Sequence, residues 1–260
     1  MQKRVFFITL FCLLITGLSI SSPADEFDQL ILKGKKLIAE GMDKWDEKTM
    51  LEARSLFERL LQNKDMQWLT HYYIGYADYG LAVYYQSQNK KDLLVKYLDD
   101  GIDHLHAAIE AKKKFADAHG LLSSLLGQKI GADPSLGMTL GMEAATTLSD
   151  ALAYGKDNPR VAMFSAISAQ FTPEQFGGSK TRALAEIERS IKLFESEKLE
   201  DERLPDWGHS DALTWQGRFY MQADKLDLAE KILENALKVN SKSAFAQMTQ
   251  RQLEQKMSQK

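Results

Sequence analysis

Apolar and small residues near the C-terminus recur at the spacing of two packed α-helices. Because an α-helix has 3.6 residues per turn, residues three or four positions apart lie on one helix face. Small residues let two helices approach closely, and larger ones fill the space between them. We therefore expect an antiparallel helical hairpin whose packing positions are Gly217 and Tyr220 on its first helix and Ala229, Leu233 and Ala236 on its second.

The small–large–small pattern of the second helix occurs four more times along the chain. The equivalent triplets are Ala53-Phe57-Leu60, Gly101-Leu105-Ala108, Ala144-Leu148-Ala151 and Ala183-Ile187-Ser190. A single hairpin cannot bury its apolar face alone, so repeated hairpins must stack on one another. Alternating β-branched runs typical of strands are nearly absent. The sequence therefore predicts an all-α protein, a superhelical array of about five antiparallel helical hairpins.

This spacing of small and large residues is similar to that of tetratricopeptide (TPR) repeats. Residues 158–194 further resemble a branch of exported bacterial TPR proteins with a Phe-Gly-Gly loop inside a late hairpin. Here the loop is formed by Phe176, Gly177 and Gly178. Some relatives of that branch are accessory repeat subunits of tripartite ATP-independent periplasmic (TRAP) transporters, and those are typically lipoproteins. The resemblance implies a TPR-like fold and a function in binding.

The repeats of this chain are longer than a regular TPR repeat. The last residues of the five second-helix triplets are 39 to 48 residues apart, whereas a TPR repeat has about 34 residues. We therefore expect longer helices and longer loops in a degenerate array.

The N-terminus has the three parts of a secretory signal peptide. Lys3 and Arg4 precede an apolar stretch from Val5 to Ile20, and small residues follow up to Ala24. We expect residues 1–24 to be the signal peptide and residues 25–260 the TPR-like domain. The chain's single cysteine, Cys12, follows large rather than small residues, which a lipoprotein signal would not allow. The sequence thus predicts a periplasmic or secreted protein that is not a lipoprotein.

The net charge of the chain and the motifs that it lacks disfavour several classes of function. Without residues 1–24 the chain has 31 basic and 36 acidic residues, and this acidity disfavours nucleic acid and anionic lipid as partners. The sequence lacks phosphate-binding loops, nucleophile motifs and histidine spacings suited to a metal. We expect neither an enzyme nor a bound cofactor or metal, and no stable membrane insertion after signal cleavage.

An aromatic helix is the strongest candidate for a binding surface. Residues 67–86 predict a helix in which Trp68, Tyr72, Tyr76 and Tyr79 share one face. Such a face either lines a concave groove or packs against the neighbouring hairpins. Phe176 is the further candidate. Its loop is either a structural turn or a site where a helix N-terminus receives an anion.

Two functions follow from this reading. The first is a periplasmic TPR scaffold or adaptor that binds a protein or peptide in its concave groove. The alternative is a small-molecule carrier or TRAP-transporter accessory subunit, in which the tyrosine helix and Phe176 line a pocket for an apolar ligand.

Overall fold

The computed structural model describes residues 23–259. The predicted signal peptide and Cys12 lie outside this range, except for Pro23 and Ala24, which are the first residues of the first helix. Within residues 23–259 there is no strand, and none of the helices is long and apolar enough to cross a membrane. The helices are α1 (Pro23–Lys44), α2 (Glu47–Leu60), α3 (Gln67–Ser87), α4 (Lys91–Ala111), α5 (Ala116–Ala132), α6 (Gly137–Tyr154), α7 (Pro159–Phe171), α8 (Lys180–Ser196), α9 (His209–Gln222), α10 (Leu226–Val239) and α11 (Ala244–Ser258).

Successive helices pair as hairpins, from α1 with α2 through α9 with α10. Helix α11 packs against α9 and α10 and covers the end of the last hairpin. The prediction of an all-α array of about five hairpins is therefore confirmed.

The array curves until its two ends meet. Helix α1 of the first hairpin contacts α11, and the Asn240 side-chain amide donates a hydrogen bond of 2.7 Å to the Asp43 carboxylate. This contact joins residues nearly 200 positions apart in the chain. The first helices of the hairpins consequently line the inner side of this curve.

Side-chain caps set several helix starts. Asn158 accepts hydrogen bonds from the backbone amides of Arg160 and Val161, and Pro159 occupies the first turn, where its missing N–H does no harm. Asp46, Ser179 and Ser243 cap α2, α8 and α11 in the same way. Local sequence thus sets these boundaries.

The last hairpin packs through the residues singled out from its sequence. Ala229, Leu233 and Ala236 are fully buried. A Cβ atom on Gly217 would lie 2.8 Å from the Leu233 side chain, so only glycine fits this crossing without a shift. Tyr220 is partly buried and packs against the cluster that contains Leu233.

The extra length of the repeats lies in two places. Helices α3 and α4 have 21 residues each, and twelve residues connect α8 to α9. The connection is longer than the two to eight residues usual between packed helices. The extra residues let it cross the inner side of the array, where it contacts α3.

Candidate binding face

The aromatic residues of α3 form one continuous face, as their spacing predicts. The rings of Tyr72 and Tyr76 are near-parallel with centroids 6.4 Å apart, and Tyr76 and Tyr79 repeat this arrangement at 6.3 Å. Tyr72 is fully buried and Tyr76 is 6% exposed, whereas Trp68 and Tyr79 are partly buried. This tyrosine face lies on the inner side of the array.

Residues 197–208, which we call the crossing segment, cover the tyrosine face. Trp207 stacks on Tyr76 with centroids 4.1 Å apart and 13° between the ring planes. Its indole N–H donates to the Tyr72 hydroxyl at 3.1 Å, and Phe164 of α7 meets the indole edge-on at 6.1 Å. The structure therefore places Tyr72 and Tyr76 beneath a part of the same chain.

The crossing segment is held by its main chain. Lys35 of α1 donates to the carbonyl oxygens of Glu202 and Leu204, the latter at 2.7 Å. The Tyr73 hydroxyl donates to the carbonyl oxygen of Arg203 at 2.5 Å. Three consecutive carbonyl groups thus accept hydrogen bonds from α1 and α3, which is how an extended polypeptide is recognised without regard to its side chains.

Charged side chains fix the same segment at both ends. Lys35 pairs with Asp206 at 3.1 Å, and Arg203 pairs with Asp28 of α1 at 2.9 Å. At the start of the segment, Glu197 pairs with Arg160 of α7. The acidic residues that follow α8 are therefore partly engaged in ion pairs with the array.

Arg160 is buried and links the crossing segment to the array. Its guanidinium donates to Asp117 of α5 at 2.6 Å and to the carbonyl oxygen of Trp207 at 3.1 Å. Burial lowers the pKa of Arg160, but Asp117 and Glu197 raise it, and the net shift is upward. Arg160 thus stays charged and ties the crossing segment to α5 and α7.

Phe176 does not join the tyrosine face. Its ring is 72% exposed, on the loop between α7 and α8. In that loop Gly177 has a φ of +93°, and a Cβ atom on Gly178 would lie 1.7 Å from the Thr172 carbonyl oxygen. Both glycines are required by this turn, because one has left-handed backbone and the other touches a neighbouring carbonyl.

Helix α9 adds an inner face that sequence reasoning missed. Asp211, Trp215 and Arg218 lie at helical spacing and are partly buried. Burial raises the pKa of the Tyr79 hydroxyl, Asp211 raises it further and Arg218 opposes the shift, so these α9 groups face α3. The α9 face therefore continues the tyrosine face beyond the crossing segment.

Both charged groups of the α9 face lack a polar partner within residues 23–259. Arg218 stacks on Trp215 and Phe245, with its guanidinium carbon 5.0 and 5.6 Å from the ring centroids. Burial lowers its pKa. Burial raises the pKa of Asp211 to about 6, and the nearby Asp43 adds to the shift. An unpaired arginine and an unpaired carboxyl group are thus available to a bound molecule.

The histidine and acidic side chains of the described residues do not gather into a metal site. No group of three or more His, Cys, Asp or Glu side chains within residues 23–259 is arranged to hold a metal ion. His71 and His104 approach each other, with their Nδ1 atoms 2.9 Å apart, but they form only a pair. The inner face can therefore bind through aromatic rings, through side chains that donate hydrogen bonds to carbonyl groups, and through single charges.

One sequence signal pointed towards the crossing segment. A twelve-residue connection between two packed helices is unusual, and this one contains the run Leu204-Pro205-Asp206-Trp207. A tryptophan and a leucine in a polar connection indicate contact with the rest of the fold, because large apolar side chains gain stability by leaving water.

The sequence matches no protein-family model and no curated protein. Solved structures that share the fold include a haemophore and a TPR protein. The HusA haemophore from Porphyromonas gingivalis is 20% identical with a TM-score of 0.63, and the match covers 78% of this chain and 96% of that one. The TPR protein TTC0263 from Thermus thermophilus is 16% identical with a TM-score of 0.58, covering 87% and 98%. At these identities the likeness shows the fold, and the protein is a TPR-like helical array.

Proposed function

We propose that this protein is an exported, periplasmic binding protein that holds an extended polypeptide segment against the inner face of its TPR-like array. The crossing segment is the observation that carries the proposal. It lies on the tyrosine face with three consecutive carbonyl groups bonded to Lys35 and Tyr73. The inner face therefore has the donors and rings that an extended polypeptide needs, and it uses them on its own chain.

The open part of the inner face is where a partner would extend this arrangement. Tyr79, Trp215 and Arg218 lie next to the crossing segment and are only partly buried. Tyrosine, tryptophan and arginine are the side chains that contribute most to binding when a partner excludes water from them. The binding role needs no catalytic group, so the proposal is of a scaffold or adaptor and not of an enzyme.

A carrier of a small apolar ligand is the second candidate. A cluster of rings on α7, α9 and α11 favours it, since Trp215 contacts Phe171 at 5.8 Å and Phe245 at 5.4 Å. That a haemophore shares this fold is compatible with ligand binding of this kind. An accessory role beside a TRAP transporter belongs to the same candidate.

Export rests on the predicted signal peptide of residues 1–24. Expression of the full chain in a bacterium, followed by mass measurement of the periplasmic fraction, tests it. Cleavage after Ala24 is the expected result. A full-length chain retained in the membrane or in the cytoplasm would contradict the proposed location.

Photo-crosslinking tests the binding function. A photoreactive amino acid replaces Tyr79 on the inner face, and a matched variant carries it in place of Leu228, which is 44% exposed on α10. A specific polypeptide crosslinked from position 79 and absent from position 228 is the expected result. Native mass spectrometry of the same protein detects a bound small molecule, and a discrete ligand without a crosslinked polypeptide would replace the first candidate by the second.

Tyr76→Ala separates binding from folding on the tyrosine face. Loss of the crosslink with an unchanged melting temperature would show a direct binding role. A large drop in melting temperature would show that Tyr76 mainly holds the crossing segment in place.

A further inference from the structure

A depression of about 700 Å³ lies where the two ends of the array meet. It is formed by the C-terminal end of α1 and the N-terminal half of α11, and it is open to solvent. Three basic residues, Lys44, Lys242 and Arg251, line it together with Trp45 and Met248. It is separate from the tyrosine face and the crossing segment.

The basic charges of this depression are only partly neutralised by the chain. The side chains of Lys44, Lys242 and Arg251 are exposed and form no ion pair or hydrogen bond with residues 23–259. The acidic residue of the lining, Asp43, accepts a hydrogen bond from Asn240 and keeps its negative charge, so the lining has three positive charges and one negative charge. A local excess of positive charge therefore stands out on a chain whose formal net charge is −3.

A second carboxylate lies close to this basic group and offsets part of the charge of Lys44. Asp46 lies near Lys44, but its two oxygens accept hydrogen bonds from the Lys48 amide and the Thr49 hydroxyl. It therefore serves as the cap of α2 and leaves Lys242 and Arg251 without a partner.

The floor of the depression is apolar. Trp45 and Met248 are partly buried, and Ala244 begins α11 between them and the basic residues. An apolar floor with a basic rim is complementary to a polypeptide that carries apolar and acidic side chains together. A nucleic acid duplex would contact the charges through its phosphates and would leave Met248 without an apolar partner.

The crossing segment shows that this chain already binds such a sequence. Residues 197–208 contain five acidic and two basic side chains together with Leu199, Leu204 and Trp207. Two of the acidic side chains, Asp206 and Glu197, pair with Lys35 and Arg160 of the array. Acidic, partly apolar polypeptide is thus the chemistry that the array recognises internally.

We propose that the depression between α1 and α11 is the docking site for an acidic, partly apolar polypeptide segment of a partner. The proposal rests on the proposed polypeptide-binding function and names the chemical class that the function selects. The basic residues steer the segment towards the array and set its affinity, while Trp45 and Met248 receive an apolar side chain.

Fluorescence polarisation with a labelled peptide tests the proposal. The probe has the sequence of residues 197–208, EKLEDERLPDWG, and its twin has every Glu and Asp replaced by Gln and Asn. The test variant is Lys242→Glu with Arg251→Glu. The control variant is Lys231→Glu with Lys238→Glu, which reverses two exposed charges on α10 outside the depression.

The expected result is about tenfold weaker binding of the acidic probe by the test variant and unchanged binding by the control variant. The twin keeps Lys198 and Arg203 and is therefore cationic, so it should bind the wild type more weakly than the probe does and should not lose affinity in the test variant. Because all four lysine and arginine side chains are exposed, melting temperatures should stay at the wild-type value and exclude misfolding as the cause.

Other outcomes overturn the proposal in distinguishable ways. Equal weakening by both variants would mean general electrostatic attraction, and unchanged binding by both would place the peptide elsewhere while leaving polypeptide binding intact. Tighter binding of a single-stranded oligonucleotide than of the probe, lost in the test variant, would identify a polyanion site. A dimer that the test variant dissociates would identify a second copy as the occupant. No peptide binding, together with no crosslink from position 79, would remove the proposed function as well.

Discussion

The indole ring of Trp207 lies almost parallel to the ring of Tyr76, with 4.1 Å between the centroids. The two residues are 131 positions apart in the chain, so their stacking fixes the crossing segment to α3. Offset stacking of aromatic rings adds stability beyond the area that they bury. Trp207 is therefore the anchor by which the crossing segment closes the inner face.

Trp207→Ala should release the crossing segment. The variant loses the stack on Tyr76 and the hydrogen bond to Tyr72, and we expect a cost of about 2–4 kcal/mol, because Trp207 is partly rather than fully buried. Urea unfolding measures this cost. Brief trypsin digestion should cut the variant after Lys198 or Arg203 faster than the wild type.

Phe176→Ala is the matched control for that change. Its ring is 72% exposed, so we expect an effect within about 0.5 kcal/mol and no change in digestion. A crossing segment that stays resistant to trypsin in Trp207→Ala would show that Lys35 and Arg160 hold it without the tryptophan.

Overpacking should disturb the last hairpin. Ala229 and Ala236 are fully buried against α9 and α11 neighbours, and replacing either by Leu adds three carbon atoms where no space exists. We expect each variant to lose about 1–3 kcal/mol in urea unfolding. Ala145→Leu, at an exposed position of α6, should unfold like the wild type. Equal stability of all three would mean that the hairpin relaxes to accept the larger side chain.

The glycines of the α7–α8 loop should respond differently to alanine. In Gly178→Ala the new Cβ would meet the Thr172 carbonyl oxygen at 1.7 Å, so the backbone must shift, at a cost of about 1–3 kcal/mol. Gly177→Ala places a side chain at a φ of +93° and should cost about 1–2 kcal/mol. Gly141→Ala in α6 has open space and should stabilise by about 0.5–1 kcal/mol. Thermal melts of the three variants measure the order of their stabilities.

Local patterns made the helices predictable. Triplets such as Ala183-Ile187-Ser190 place small and large residues on one face within a single helix, and all three of these residues are fully buried. Helix caps such as Asn158 are equally local. The sequence therefore predicted the all-α class and the number of hairpins.

The covering of the binding face was not predictable, because it depends on residues distant in sequence. Spacing placed Tyr72 and Tyr76 on one face, but nothing in α3 tells which element covers them. The Tyr73 hydroxyl bonds to a carbonyl 130 residues later, and a main-chain acceptor has no sequence signature. The Phe-Gly-Gly loop makes Phe176 a candidate to line a pocket together with the tyrosine helix, but the structure keeps its ring on an exposed loop.

The paired histidines should make stability depend on pH. The Nδ1 atoms of His71 and His104 are 2.9 Å apart. Burial lowers the pKa of both residues, and the charge of His71 lowers that of His104 further. Above pH 6.5, the ordinary pKa of histidine, both rings are neutral and the contribution of the pair to stability is complete. As the pH falls below 6.5, the unfolded chain binds protons that the folded chain does not, so stability declines.

Thermal melts between pH 7.5 and 5 check this dependence. The double variant His71→Gln/His104→Gln should show a flatter fall in melting temperature than the wild type over this range. His106→Gln removes a half-exposed histidine that pairs with Glu143 on the surface, and it is the comparison for the loss of a histidine outside the pair. An equal slope in the double variant would assign the pH dependence to other groups.

Asp211→Asn should stabilise the protein at high pH only. Burial first, and then the nearby Asp43, raise the pKa of Asp211 to about 6 from its ordinary value of 3.8. A carboxyl group with a raised pKa stabilises the folded state fully below pH 3.8. This contribution to stability is lost as the pH rises through about 6, because the folded state must then hold an unpaired charge. Asn keeps the shape without the charge. The variant should therefore melt higher than the wild type at pH 8, with the difference shrinking through pH 6 and closing near about pH 4.

Asp206→Asn is the opposite case and serves as the control. Its carboxylate pairs with Lys35 at 3.1 Å, so its removal at pH 8 should lower the melting temperature or leave it unchanged. If Asp211→Asn gains stability at pH 8 but loses crosslinking from position 79, the unpaired carboxylate destabilises the fold and is required for binding. If it gains stability and binds as well as the wild type, Asp211 has no part in the binding face, and the recognition there rests on Tyr79, Trp215 and Arg218.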